Sequence, residues 1–286
     1  MKDELSSKLL KLIEENSVPW RSEWDNEFET RPFNPITGTI YRGLNFLRLF
    51  LSFFGKECKE GKEVTDWRFS TFNQLKKANI KLKKGCHGYH VFYLGSYLKE
   101  NEENEENEEE REERKYLKSF TVFNYEDVEI PEDSAFPKIE TKKFECDNQY
   151  IMNIIKRLNI NIIEGNCLDP CYRIDKNLIE TSNKFWSDSS RYATLFHEIV
   201  HWTAKNIPSC KRNCEYALEE LIAEFGAFMI CRELNIHYKP SEVLNYYGYL
   251  NSWLNKYKSE DEKISAIESA LKYANRAVKA ILNSKD

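Results

Sequence analysis

Tyr192-Ala193-Thr194-Leu195-Phe196-His197-Glu198-Ile199-Val200-His201-Trp202-Thr203 contains the spacing His-Glu-x-x-His. On a helix, side chains four apart share one face. His197 and His201 can therefore hold one zinc ion between them, with the Glu198 carboxylate alongside. Leu195, Phe196, Ile199 and Val200 give the same helix apolar side chains to pack on a core. The stretch predicts a zinc-dependent hydrolase built around a buried helix.

A hydrolytic zinc site takes three protein ligands and keeps one position open. The missing ligand is expected downstream, in Glu219-Glu220-Leu221-Ile222-Ala223-Glu224-Phe225. In a gluzincin arrangement a ligand Glu lies on a second helix and an acidic residue one turn later orients a ligating histidine. Glu220 and Glu224 fit those two roles, with Glu219 the neighbouring alternative to Glu220. Glu198 is then the general base, passing a proton from water to the leaving amine. His237, Tyr216 and Arg212 are further candidates for stabilising an oxyanion, against plain packing or surface roles.

At 286 residues, 41% hydrophobic and 14% aromatic, the chain can fill two cores. The first residues are polar and charged, and no apolar stretch approaches the roughly 18 residues of a membrane span. A soluble cytoplasmic protein is expected, in which the eight cysteines are mostly reduced thiols. Cys86, Cys146 and Cys231 read as packing residues. Cys167 with Cys171, and Cys210 with Cys214, could make a second, structural zinc site, but their spacing is one residue longer than the usual zinc knuckle and favours unpaired thiols or a local disulfide.

The net charge of −5 is concentrated in one place. Residues 98–114 hold 3 basic and 10 acidic side chains, whereas residues 1–97 hold 16 and 12, and residues 115–286 hold 23 and 25. The run from Glu100 to Glu110 repels itself and has nothing apolar to bury. Val91-Phe92-Tyr93-Leu94 before it and Phe120-Thr121-Val122-Phe123-Asn124 after it read as strands. An acidic insertion at about 99–115, expanding a hairpin loop, is therefore expected.

The pattern is α+β in two domains, 1–135 and 136–286, with the boundary near Pro131 to Lys143. In the first, helices are expected at Leu5–Ile13, Asn45–Phe54 and Thr71–Ala78, with a turn at Asn34-Pro35-Ile36-Thr37-Gly38. In the second, mostly helical domain, helices are expected at Asn148–Leu158, after a Ser189 or Ser190 cap, at Glu215–Leu234, Pro240–Tyr257 and Asp261–Leu282. Short strands fit Asn159–Ile163 and Leu178–Glu180.

From Trp67 to Leu98 the chain carries Arg68, Lys76, Lys77, Lys81, Lys83 and Lys84 and no Asp or Glu, interleaved with seven aromatic rings. Cations that follow a phosphate backbone, with rings on which unpaired bases stack, suit sequence-tolerant binding of single-stranded DNA. A basic hairpin whose rings form its own core fits the composition equally well.

Both halves resemble the ArdC-type antirestriction family. The first half does so in Pro19-Trp20, Thr37-Gly38, Tyr41-Arg42-Gly43-Leu44-Asn45, Thr71-Phe72-Asn73-Gln74, Lys83-Lys84-Gly85 and Val122-Phe123-Asn124. The second does so in Thr194 to Thr203, Glu219 to Glu224 and Ser252-Trp253-Leu254. The resemblance implies a single-stranded-DNA-binding N-terminal domain joined to a zincin-like metallopeptidase domain. It implies a protein of mobile elements that protects incoming DNA from host restriction and can accompany that DNA into a recipient cell. By position, Trp20, Tyr41, Arg42, Asn45 and Lys84 become candidate DNA contacts, joined by Trp67 and Lys83 from the basic stretch. The acidic insertion, Cys86-His87 and Ala204 depart from the family pattern. Two other readings remain: a zinc protease directed by DNA to bound proteins such as crosslinked adducts, and a non-catalytic accessory protein related to plasmid primase auxiliary domains; a protein substrate or a restriction enzyme is a further candidate partner.

Overall fold

The computed structural model describes residues 4–15, 31–60, 66–99, 112–131, 148–165, 170–183, 188–236 and 246–282. In chain order the elements are α1 (Glu4–Glu14), α2 (Gly43–Glu60), β1 (Phe69–Thr71), α3 (Phe72–Lys77), β2 (Lys81–Leu82), β3 (Gly88–Lys99), β4 (Glu112–Asn124) and β5 (Val128–Glu129). They continue with α4 (Asn148–Leu158), β6 (Asn161–Gly165), β7 (Cys171–Arg173), β8 (Leu178–Ser182), α5 (Asp188–Asn206), α6 (Tyr216–Glu233), α7 (Tyr246–Leu254) and α8 (Glu260–Leu282). The architecture is α+β with two compact units. One contains residues 1–30, 42–47 and 141–285, the other residues 31–41 and 48–140.

In the larger unit, α1 buries Leu5, Leu9, Leu10 and Ile13, its helical stripe, and packs on α7 and α8. Lys263 of α8 reaches Glu14 at 2.8 Å. Helix α6 is buried without a break from Leu221 to Cys231, as a helix apolar all round must be. Ala266, Ala270, Ala274 and Ala277 give α8 a buried small-residue stripe, and α8 packs against α6. A three-stranded sheet of order β6-β8-β7 completes the unit, with β6 parallel and β7 antiparallel to the central β8. Strand β7 had no counterpart among the sequence expectations: three residues at a sheet edge show no period. The expected caps Ser189 and Ser190 lie inside the first turn of α5, which begins at Asp188.

In the smaller unit, β4 pairs with β1 on one side and with β3 on the other, both antiparallel. The expected hairpin is present and longer than its sequence signal, running from Gly88↔Phe123 to Lys99↔Glu112. Trp67, Phe69, Tyr89, Val91 and Val122 are buried, and the Trp67 ring stacks on Phe50 at 5.9 Å. The turn after Asn34 closes because its Oδ1 accepts from the Ile36 and Thr37 amides at 2.9 and 3.2 Å, while Gly38 takes a φ of 70°. Thr71 and Gln74 form a capping box on α3. Asn124 caps the short turn that follows β4 and donates to the Asp66 carbonyl at 2.8 Å. The acidic run and Trp20 fall outside the described residues.

Candidate metal centre

Helices α5 and α6 touch where Gly226 faces Val200. A Cβ at Gly226 would stand 2.8 Å from Val200 Cγ2, so only glycine allows this approach. The contact brings Glu220 level with the two histidines. His197 Nε2 and His201 Nε2 converge to 3.1 Å. Glu220 Oε2 lies 3.4 Å from the first and Oε1 3.7 Å from the second. Among the described residues, this trio has the arrangement that could hold a metal ion, its ligand atoms lying within 4.8 Å of one another. Two imidazoles and a carboxylate form a donor set that suits zinc.

Each imidazole is held from behind by a different glutamate. Glu224 Oε1 lies 3.5 Å from His197 Nδ1, and Glu219 Oε1 lies 3.0 Å from His201 Nδ1. These contacts fix the rings so that both Nε2 atoms face the common centre. Burial opposes a charge on His197, but Glu224, Glu220 and Glu198 outweigh it and hold its pKa well above the usual histidine range. Burial would raise Glu219 and Glu220 likewise. Hydrogen bonds from His201 and Arg212 to Glu219, and from His197 to Glu220, lower both carboxyls instead.

Arg212, weighed as an oxyanion donor, has another place. Its side chain is 1% exposed. Its Nε and NH2 donate to Glu219 Oε2 and Oε1, both at 2.7 Å, and further bonds reach the Val200 and Cys210 carbonyls and Thr203 Oγ1. The guanidinium is therefore spent behind the site and cannot meet a substrate. Nothing in the local sequence marks it, because the connection depends on how residues 207–215 fold back between the two helices.

Glu198 is buried, which raises its carboxyl pKa against the pull of His197 and His201. Its Oε2 accepts from the Tyr172 amide of β7 at 2.7 Å, so the unforeseen strand anchors this carboxylate. Tyr216 stands at the start of α6 with its ring edge-on to Trp253, centroids 5.2 Å apart. Desolvation and the neighbouring Glu220 push its hydroxyl to about 12, so it stays a donor at neutral pH. His237 lies outside the described residues.

The residues expected to touch DNA divide differently. Trp67 is 4% exposed with its ring stacked on Phe50, so in this conformation it presents little surface to a base. Tyr41 is half-buried; burial drives its pKa to about 12, and its hydroxyl donates to the Phe69 carbonyl at 3.4 Å. Arg42 pairs with Glu233 at 3.3 Å while remaining half exposed. Asn45 is half-buried and Lys84 exposed; Lys83 donates to the Glu126 carbonyl at 2.7 Å. Cys171, Cys210 and Cys214 are free thiols, Cys167 lies outside the described residues, and Cys214 donates to Glu219 Oε2 at 3.5 Å.

A buried His-Glu-x-x-His helix crossed by a glutamate-bearing helix defines the second half as a zincin-like domain. Residues 149–270 match the family of zincin-like metallopeptidases, and residues 1–123 match the N-terminal domain of anti-restriction factor ArdC. The chain thus carries an ArdC-type N-terminal domain followed by a zincin-like domain, the two-domain ArdC architecture. Its fold is that of the antirestriction ArdC protein from plasmid R388. The metal-free structure superposes with a TM-score of 0.63 and the Mn(II)-bound one with 0.64, each at 23% identity over 100% of this chain and 99% of that one. A DNA primase TraC of Escherichia coli is 24% identical over 280 residues, 90% of this chain, which spans 18% of that primase. An uncharacterized Sinorhizobium fredii protein, y4eC, is 24% identical over 92% of this chain and 86% of its own length. Among the described residues no helix is long and apolar enough to cross a membrane.

Proposed function

We propose that this chain is an antirestriction protein that binds single-stranded DNA through its first half and carries a zinc-dependent peptidase site in its second. The observation that carries the catalytic reading is the meeting of His197, His201 and Glu220 with a buried Glu198 beside them. Zinc bound there would acidify a coordinated water and polarise a peptide carbonyl. Glu198 would take the water proton and return it to the leaving nitrogen, its raised pKa bringing it closer to that task. With Oε2 held by the Tyr172 amide, Oε1 would be the oxygen that takes that proton. Tyr216, protonated and next to Glu220, would donate to the developing oxyanion. Glu224 and Glu219 keep the histidines in the ligating tautomer.

Protection of incoming DNA fits the ArdC-type first half and the likeness to plasmid primases. Glu198→Gln separates shielding from cleavage. The variant should keep its metal, as measured by elemental analysis, and lose hydrolysis of a denatured protein substrate. If it also loses protection in a plasmid-transfer assay against a restricting host, cleavage is the protective act; retained protection leaves DNA binding as the shield. A variant with full proteolytic activity would sink the role assigned to Glu198.

A further inference from the structure

The hairpin of β3 and β4 changes character along its length. Near its base Tyr89, Val91 and Val122 share one face and are buried. Side chains alternate along a strand, so the same face continues through Tyr93 and Gly95 of β3 and through Phe120, Lys118 and Tyr116 of β4. There the rings come out of the core: Tyr93 is 48% exposed, Tyr116 41% and Phe120 36%. Tyr93 and Tyr116 lie 6.3 Å apart between centroids, and the Lys118 ammonium sits 5.3 Å from the centre of the Phe120 ring. Tyr116 lies down on Gly95, where a Cβ would come within 2.4 Å of its Cζ. A missing side chain on one strand is therefore what seats a ring of the other.

We infer that these three rings are a stacking platform for unpaired bases, an inference that rests on the single-stranded DNA binding proposed above. Charge decides the kind of partner. Neither Gly88–Lys99 nor Lys115–Asn124 contains an acidic residue, Glu112 and Glu113 lying at the far end of β4, while Lys118 supplies a cation on the same face as the rings. That combination suits a polyanion with flat apolar bases. On the opposite face the Phe92 ring is covered instead by the Arg48 guanidinium, 4.8 Å from its centre.

The test is fluorescence anisotropy of a fluorescein-labelled oligothymidylate with the full chain. Tyr93→Ala, Tyr116→Ala and Phe120→Ala should each weaken binding about fivefold to a hundredfold. Tyr93→Phe and Tyr116→Phe should bind as the parent does, because stacking needs the ring and not the hydroxyl. A parent protein that does not bind the oligonucleotide overturns the DNA reading and the platform with it. A parent that binds, with all three alanine variants at parental affinity, overturns the platform alone. Photocrosslinking to a 5-iodouracil oligonucleotide gives an answer even if an alanine variant misfolds. Adducts on Tyr93, Tyr116 or Phe120 are expected, and adducts confined to other residues overturn the assignment.

Discussion

Arg212 grips both carboxylate oxygens of Glu219 at 2.7 Å, and one of those oxygens also holds His201 Nδ1 at 3.0 Å. A residue in the connection between two helices thereby sets the orientation of a candidate metal ligand on the first through a carboxylate on the second. Arg212→Ala removes the guanidinium that neutralises that carboxylate, leaving it only His201 and the Cys214 thiol, and should cost about 3–5 kcal/mol of stability. Glu219→Gln keeps a hydrogen bond acceptor but removes the charge behind the imidazole, and metal affinity should fall roughly 10- to 100-fold. Urea denaturation of the first variant and chelator competition on the second check the two. Unchanged affinity in Glu219→Gln would mean that His201 needs no support from behind.

Metal uptake should depend on pH in a stated direction. His197 is held above its ordinary range by Glu224, Glu220 and Glu198 in spite of burial, so the metal-free protein carries a proton where the ion must bind. Apparent affinity should fall by about tenfold for each unit of pH below that raised value. For the metal-free fold the sign is opposite. A raised histidine pKa contributes stability fully below the unfolded value and loses it as pH rises through the folded one. Thermal denaturation in chelator should therefore show a lower Tm on the alkaline side, and metal-loaded protein should not share that loss.

Gly226 tests the helix contact itself. Alanine there places a methyl 2.8 Å from Val200 Cγ2, and overpacking of this kind costs about 1–3 kcal/mol. Because the same contact brings Glu220 to the histidines, Gly226→Ala should lower metal affinity along with Tm. Pairing it with Val200→Ala should recover part of both. No recovery in the double variant would show that the strain lies elsewhere.

Tyr216→Phe removes the proposed oxyanion donor without moving the ring that meets Trp253. Peptidase kcat is expected to drop about a hundredfold with KM little changed. Unaltered kcat would return Tyr216 to a packing role.

The ligand geometry was legible because it is local. Two histidines four apart on a helix must share a face, and Glu220 with Glu224 repeats that rule on the next helix. The residues behind the ligands were not legible in the same way. Glu219 and Glu220 are adjacent and chemically alike, and only the angle of α6 decides which faces the centre and which faces His201. Arg212 and β7 depend on backbone paths that carry no period. In the first half the family-like stretches proved to be largely construction: Thr71 and Gln74 form a capping box and Asn124 a cap. A basic aromatic composition cannot tell an inward ring such as Trp67 from an outward one such as Tyr93 until strand register is known.

Tyr172, Glu198, His197, His201, Arg212, Glu219, Glu220 and Glu224 all fall within one continuous segment of sequence. Loop-closure entropy grows only slowly with length, and contacts of short separation form early. The metal pocket is therefore a low-contact-order feature that can assemble without long-range search. Substitutions in β3 and β4, which belong to the other compact unit, then need not delay the assembly of this pocket.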